Sequence, residues 1–489
     1  MTKGIAVKSG DVQCVSPIEA KRGVFGGMIR RGVAGILLLG LMWLLPPYFQ
    51  RVRHLCPTRP DGISQALALP AFARKYGMSC SQCHSDYPTL NSFGRQFKMN
   101  GYVVARGSDY GVLKSEDQEL WTEANMPWAV IVRSRPFDSG HGMANNGAQM
   151  GGSANSGAPS YSNGPLFQPI NDIDMFIAGG DAAKHVSYFG EMDANQAGGF
   201  AVGMGDLRAG YHPSLLCNIV LMRRGFWADD PYQTIVSNET PTIANRATDL
   251  VMSGQAYLSG MPMLTTTQTG EIYGQVHVSS GSSSFFYYSG GVSKDPGAVA
   301  VNTGQGPETG YLRFAYDSGN GFMLGTFGQY GQTGGNDGGS PGVTSVTGNQ
   351  LVEASRVGLD ALWEHNNFNA RAAYVYAHDS DSSAGAVETD QAAYAEIFYT
   401  YKRDGHDYSF LVPLLRENWL TMYNGTEHFN YITAQLAHYF APNFKGFVEY
   451  TVDTGRGYNE SLLTENMGGA AAAILPMGNR LTAQLEVGF

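Results

Sequence analysis

The chain has little charge and almost no cysteine. Asp, Glu, Lys and Arg make up 15% of its 489 residues, against about 25% in ordinary soluble domains. Five cysteines in this length give no disulfide framework. The main uncharged run, VAGILLLGLMWLLPPYF from Val33 to Phe49, falls short of the ~20 residues that span a bilayer comfortably. This profile is poor for a helical enzyme. What the chain does have is 63 glycines and 12% aromatics, a composition that suits many short strands joined by Gly-rich turns.

The beginning of the chain reads as a leader. Lys21, Arg22, Arg30 and Arg31 precede the apolar run, as the n-region and h-region of a signal peptide do. Ala66-Leu67-Ala68 offers a small-residue cleavage site, making 1–68 a leader and Leu69 the first mature residue. A start at Met28 would give a compact n-region, MIRRG; the rival reading is an uncleaved inner-membrane anchor. The leader holds 9 of the 32 basic and 3 of the 42 acidic residues, leaving 23 against 39, a net charge of −16. So acidic a surface disfavours nucleic acid and favours cations. At low external pH many of those carboxylates become neutral and the attraction weakens.

Outside the leader three cysteines remain. Cys217 sits in SLLCNIVLM and reads as a small apolar filler. Cys80 and Cys83 belong to CSQCH, ending at His84. Chance alone gives a C-x-x-C-H roughly once in a thousand chains of this composition. Two thiols one helical turn apart can add to the two vinyl groups of haem, and the next residue, His84, then supplies the proximal nitrogen. The bland alternatives are a redox dithiol or half a zinc site. The first needs a surrounding βαβ pattern and the second two more ligands nearby; neither is visible. Met99 is the nearest downstream candidate for a distal ligand. Pro70 is placed to open one helix, and Thr89 to cap a second carrying Leu90, Phe93 and Phe97, stopped by Gly101. Arg74, Lys75, Arg95 and Lys98 are candidates to pair with haem propionates. From 69 to 102 the segment is too short for its own core around a haem, so it must lean on the rest of the chain.

A polar connector, 103–126, leads to segments of period-two alternation over 127–489. Leu481, Ala483, Leu485, Val487 and Phe489 oppose Arg480, Thr482, Gln484 and Glu486. Val357, Leu359, Ala361 and Trp363 oppose Arg356, Asp360 and Glu364. Alternation over about ten residues is what a strand needs between lipid and a wet lumen, and closure satisfies every backbone group. A soluble β-sandwich also alternates, but strand length and number oppose it. So do rings near strand ends, Phe398, Tyr399, Tyr401, Tyr439 and Phe440. The expectation is an all-β fold: a transmembrane antiparallel barrel of about 16 strands behind a small helical c-type haem segment. HNN at 365–367 and APN at 441–443 read as tight turns; 138–168 and 331–350 read as surface loops. The pleat turns His277, with Glu271, Tyr273 and Gln275, into the lumen, and the same reasoning places His185 with Ser187 and Glu191.

The run LPAFARKYGMSCSQCHSDYPTLNSFGRQFKMNGY, 69–102, resembles the haem segment of the fused monohaem cytochrome c–porins of the bacterial outer membrane. These include the iron oxidases of iron-oxidising bacteria. The shared features are Pro-Ala-aromatic-Ala-Arg before the cysteines, then Leu90-Asn91, Phe93-Gly94-Arg95 and Phe97-Lys98. The motif match covers only those residues, and the long leader departs from the family's simple signal peptide. The resemblance implies an exported outer-membrane protein carrying one covalent haem c on Cys80 and Cys83, with His84 as proximal ligand. It implies an Fe(II):cytochrome c-type oxidoreductase that oxidises extracellular Fe(II). Single electrons would pass to a periplasmic cytochrome c or copper protein, with membrane lipid outside and no nucleic-acid partner. Two other functions fit the same residues: a diffusion porin with a haem-bearing plug, and a conduit for a donor other than iron.

Overall fold

The computed structural model describes residues 71–76, 78–104, 128–139, 166–181, 185–223, 225–236, 241–252, 268–294, 309–334, 351–381, 386–402, 409–422, 424–425, 427–454 and 479–488, apart from 196–200. The leader, most of the connector, the 140–165 and 335–350 tracts and Phe489 lie outside these residues.

Sixteen antiparallel strands close into a barrel. They are β1 Trp128–Asp138, β2 Leu166–Asp181, β3 Val186–Asn195, β4 Ala201–Tyr211, β5 Asn218–Arg223, β6 Gln268–His277, β7 Phe285–Lys294 and β8 Thr309–Asp317. Then follow β9 Phe322–Gly334, β10 Leu351–His365, β11 Phe368–Asp381, β12 Ala386–Tyr399 with its continuation Tyr401–Lys402, β13 Ser409–Met422, β14 Glu427–Ala441, β15 Phe444–Asp453 and β16 Arg480–Gly488. Every strand pairs with its sequence neighbours, and β16 closes on β1 with Gly488 opposite Ile131 and Thr482 opposite Asp138. No edge is left for lipid to desolvate.

Alternation sets which residues meet lipid. Along β8, Leu312 and Phe314 are exposed on the outside while Tyr311, Arg313, Ala315 and Asp317 are buried within. On β10, Val357, Leu359 and Trp363 face out and Arg356 and Asp360 face in. Exposed rings gather at the strand ends beside the tight turns: Phe286, Tyr316, Phe322, Trp363, Tyr399 and Phe440. That is an interfacial girdle. Phe398 and Tyr439, which the sequence placed in this girdle, point inward instead and are buried. Each is next to a ring that does face out, and the pleat sends neighbours to opposite sides.

Connections at one end are short, as at 366–367 and 442–443; those at the other include 139–165, 224–267 and 454–479. The first barrel strand starts and the last one ends at the short-turn end, which is periplasmic in outer-membrane barrels. The strand Arg480–Gly488 follows the 454–479 connection, so Gly488 reaches the turn end. The barrel is bacterial outer-membrane in kind: closed, even-stranded, apolar outside and polar within.

Part of the lumen is occupied by the chain itself. The connection between β5 and β6 turns inward, carrying a 3₁₀ turn, Phe226–Ala228, and a short helix, Ala247–Met252. Ala247 N donates to Asn418 Oδ1 at 2.9 Å, and Ile243 N and Ala244 N donate to the Glu449 carboxylate at 2.8 and 2.9 Å. Arg356 Nε donates to Val251 O at 3.1 Å. Arg313, Arg356 and Arg416 on the wall are fully buried. Their partners are carboxylates: Arg313 grips Asp360 at 3.0 and 2.8 Å, and Arg416 reaches Glu396 at 3.3 Å. Buried charge persists only when paired in this way.

Candidate functional site

The C-x-x-C-H segment is lodged inside the barrel at the short-turn end. It comprises α1 Ala71–Tyr76, α2 Cys80–Cys83, a two-rung ladder of His84–Asp86 with Thr89–Leu90, and α3 Ser92–Met99. Helix α1 begins directly after Pro70, as expected. Helix α3 is capped by Asn91 rather than Thr89, which lies in the ladder. Asn91 Oδ1 accepts from Gly94 N at 2.9 Å, a stronger local arrangement than the Thr89 reading allowed. The same Asn91 donates from Nδ2 to Ser81 O and Gln82 O at 3.2 and 3.0 Å, and its N–H bonds Cys83 O at 2.9 Å. One residue therefore ties the end of α2 to the start of α3. Gly94 is required there: a Cβ would meet Cys83 O at 2.1 Å. Gly101 ends α3 at φ 75°, with Tyr102 N reaching back to Phe97 O at 3.0 Å.

Cys80 and Cys83 are free thiols on one helical turn, both partly exposed. Burial pushes both up to about 11, so without a partner group they stay protonated. His84 follows, its Nδ1 3.0 Å from Pro88 O. With Pro88 as acceptor, Nδ1 carries the proton and Nε2 keeps its lone pair, the form a metal takes. Burial pulls His84 down to about 4, so the ring is neutral at ordinary pH. Two unbridged thiols at that spacing and an imidazole in the ligating tautomer fit a haem c held by Cys80, Cys83 and His84.

The barrel wall holds this segment at many points. Tyr439 Oη donates to Asp86 Oδ1 at 2.6 Å and accepts from Tyr87 N at 2.9 Å. Lys445 Nζ donates to Tyr87 O at 2.8 Å and lies 3.7 Å from Asp86 Oδ1. Ser409 Oγ donates to Ser85 O at 3.2 Å. Arg95 grips the Glu364 carboxylate at 2.8 and 3.0 Å. The rings of Phe72 and Tyr102 stack at 5.0 Å, and Tyr102 stacks on Phe189 of β3 at 6.2 Å. Gly180 of β2 lets Gly101 O approach where a Cβ would sit 2.3 Å away.

Other sequence candidates fall elsewhere. Met99 is buried against the wall; its sulfur accepts from Gln275 Nε2 at 3.2 Å and its carbonyl from Tyr273 Oη at 3.0 Å. Arg95 and Lys98 serve Glu364 and Asp230 O, the latter at 3.4 Å, because wall and inward connection supply acceptors that the isolated segment lacked. Cys217 is exposed in the turn before β5, not a buried filler. His277 lies at the rim, exposed and bonded to Ser282 O at 2.9 Å, since its strand ends there. His185 sits in the turn before β3 at φ 58°, where the pleat no longer applies. The side chains of Arg74 and Lys75 lie outside the described residues. Tyr439, Lys445 and Glu364 are the partners that sequence reasoning missed.

Further out on the lumen face, Asp174 of β2 with Glu191 and Asp193 of β3 bring carboxylate oxygens within 4.8 Å of one another. Arg133 pairs with Asp174 and, at 2.9 Å, with Asp172. Asp206 stands opposite Glu191 in the register. Arg208 pairs with Asp206, so the carboxylates here outnumber the two arginines, Arg133 and Arg208, that stand among them.

No family model and no curated protein matches the chain. Solved structures similar to it are outer-membrane barrels. OmpT of Vibrio cholerae is 11% identical, with 74% of this chain and 97% of that one covered and a TM-score of 0.44. The anion-selective porin of Comamonas acidovorans is 8% identical, covering 74% and 98%, at 0.47. Salmonella typhi OmpF in complex with daunomycin is 14% identical, covering 74% and 97%, at 0.45. The chain's own closure, strand count and apolar exterior carry its assignment to the outer membrane.

Proposed function

We propose that this barrel carries one haem c on Cys80, Cys83 and His84 and acts as an Fe(II):cytochrome c-type oxidoreductase. It would take single electrons from extracellular Fe(II) and deliver them to a periplasmic cytochrome c or copper protein. The observation that carries the reading is the lodging of the C-x-x-C-H segment within the wall, at the periplasmic end. A haem bound there would supply a one-electron couple, which matches the one-electron chemistry of iron.

The chain's own residues contribute placement. The closed wall keeps lipid from the segment. Pro88 O fixes the His84 tautomer. The acidic lumen face around Asp174, Glu191 and Asp193 attracts cations and weakens as those groups protonate. Fe(III) is poorly soluble except in acid, so oxidation outside the cell keeps mineral out of it.

A second reading is a diffusion porin whose haem segment plugs the pore, favoured by the inward connection between β5 and β6. A third is a conduit for another donor. Two measurements separate them. Purified protein whose haem is reduced by Fe(II) within the turnover time, with no solute flux in liposomes, supports the oxidoreductase. Rapid ion or sugar flux with a haem that Fe(II) leaves unchanged supports the porin. A potential titration against the iron couple at working pH decides between iron and another donor. Cys83→Ala abolishes stable covalent haem; normal haem staining of that variant refutes the attachment.

A further inference from the structure

The wall touches the ladder on both sides of Tyr87, one residue from the carbonyl that holds His84. Tyr439 Oη accepts from Tyr87 N and donates to Asp86; Lys445 Nζ donates to Tyr87 O. Both peptide groups of Tyr87 are thus occupied by side chains of β14 and β15. Pro88 O, next in the chain, lies 3.0 Å from His84 Nδ1. The Tyr87 ring also tilts against the His84 ring, with centroids 5.2 Å apart. Asp86, Tyr439 and Lys445 are all buried. Lys445 is held in turn by Glu486 of β16 at 3.5 Å.

We infer that Tyr439 and Lys445 are positioning residues for the proximal histidine: the barrel, through Tyr87 and Pro88, sets the orientation and donor strength of His84. This deepens the haem reading above and rests on it. An outer hydrogen-bond partner of a ligating histidine orients the ring and tunes the metal. Here that partner is a carbonyl whose position is fixed by two wall side chains more than three hundred residues away in sequence. A free segment would leave Pro88 O to thermal motion. Lys445 also places a cation beside the ladder, and Asp86 balances it at 3.7 Å.

The test uses full-length, haem-loaded protein in detergent and in vesicles. Three variants are compared with wild type, with Lys445→Arg as the conservative control: Tyr439→Phe, Lys445→Gln, and Phe189→Leu, which loosens the segment where Tyr102 stacks on the wall. Heat-modified migration first establishes that each barrel has closed. The readouts are the reduced fraction of haem at the wild-type midpoint potential and the low-temperature EPR of the oxidised form. Loss of an indirect outer contact acts more weakly than the tenfold or more seen for direct partners, so the oxidised-to-reduced ratio changes about threefold in the first two variants. Their EPR lines shift, Lys445→Arg restores much of the change, and Phe189→Leu leaves both readouts at wild-type values. Equal shifts in all three variants, or none in any, overturn the inference while leaving the haem reading intact. Wild-type protein that takes up no haem overturns both. Tyr439→Phe alone reports the hydrogen bonds if Lys445→Gln does not close its barrel.

Discussion

Replacing Glu364 by Ala tests how tightly the wall holds the segment. Arg95 is 1% exposed and makes two bonds to Glu364, at 2.8 and 3.0 Å. Removing the carboxylate strands a buried guanidinium, and breaking one side of a buried pair costs about 3–5 kcal/mol. Arg371, 4.0 Å from Glu364, loses the same counter-charge. Two contacts soften the loss: Leu90 O still accepts from Arg95 at 3.2 Å, and the Asp317 carboxylate still attracts it. The lower end, about 3 kcal/mol, is the working figure, and at 1.36 kcal/mol per decade it raises the undocked fraction about a hundredfold. The assay is single-channel conductance of full-length protein in planar bilayers, paired with maleimide labelling of Cys80 and Cys83 in haem-free protein. Brief openings and faster labelling are expected in Glu364→Ala. Wild-type conductance together with a labelling rate within about twofold of wild type would refute the reasoning, because a hundredfold change in the open population must appear in one of them.

Three more outcomes follow from other contacts. Leu359→Arg, on the lipid side of β10 where Leu359 is 58% exposed, destabilises the barrel by about 2–4 kcal/mol if it lies near the midplane; urea titration in vesicles measures this, and a cost near zero would place it outside the membrane. Gly94→Ala drives a methyl into Cys83 O, costs about 1–3 kcal/mol by overpacking, and lowers haem-stained protein relative to barrel. Burial and, next, the nearby Arg208 pull Lys98 down to about 8. The group is therefore a constant burden below pH 8, relieved as pH rises from 8 toward its unfolded value of 10.5. Denaturant midpoints of wild type gain over that window relative to Lys98→Met, and parallel curves would contradict the shift.

How much of this was legible in residues alone depends on period. Strand alternation displayed the barrel because lipid and lumen ask for opposite chemistry at every second residue, as Leu359 and Asp360 show. The turns at Asn366 and Pro442 were legible for the same reason. The inward connection was not, since 225–252 has no repeating period and many of its bonds go to strands more than a hundred residues away, as from Ala247 to Asn418 and from Ala244 to Glu449. A signal existed, however. Arg313, Arg356 and Arg416 fall on the lumen side of their strands, and so many bulky cations on one inner face ask for acceptors that a water-filled bore would not order. The C-x-x-C-H motif was legible through its spacing. Its surroundings were not: Arg95 and Lys98 looked like partners for a cofactor until Glu364 and Asp230, over a hundred residues away, claimed them. Met99 shows the same limit, because proximity in sequence said nothing of Gln275.

The pairing of Tyr87 with Tyr439 spans 352 positions. Bringing such remote points together costs only about 5 kcal/mol in chain entropy, but it imposes an order on biogenesis. The earliest exported residues find their seat only when the last hairpins have been threaded. Chains cut short before β14 would leave the front segment without its Tyr439 and Lys445 contacts, and a prosthetic group joined to it would wait for them until the cylinder seals. Seating of the front segment would then report that the cylinder had closed.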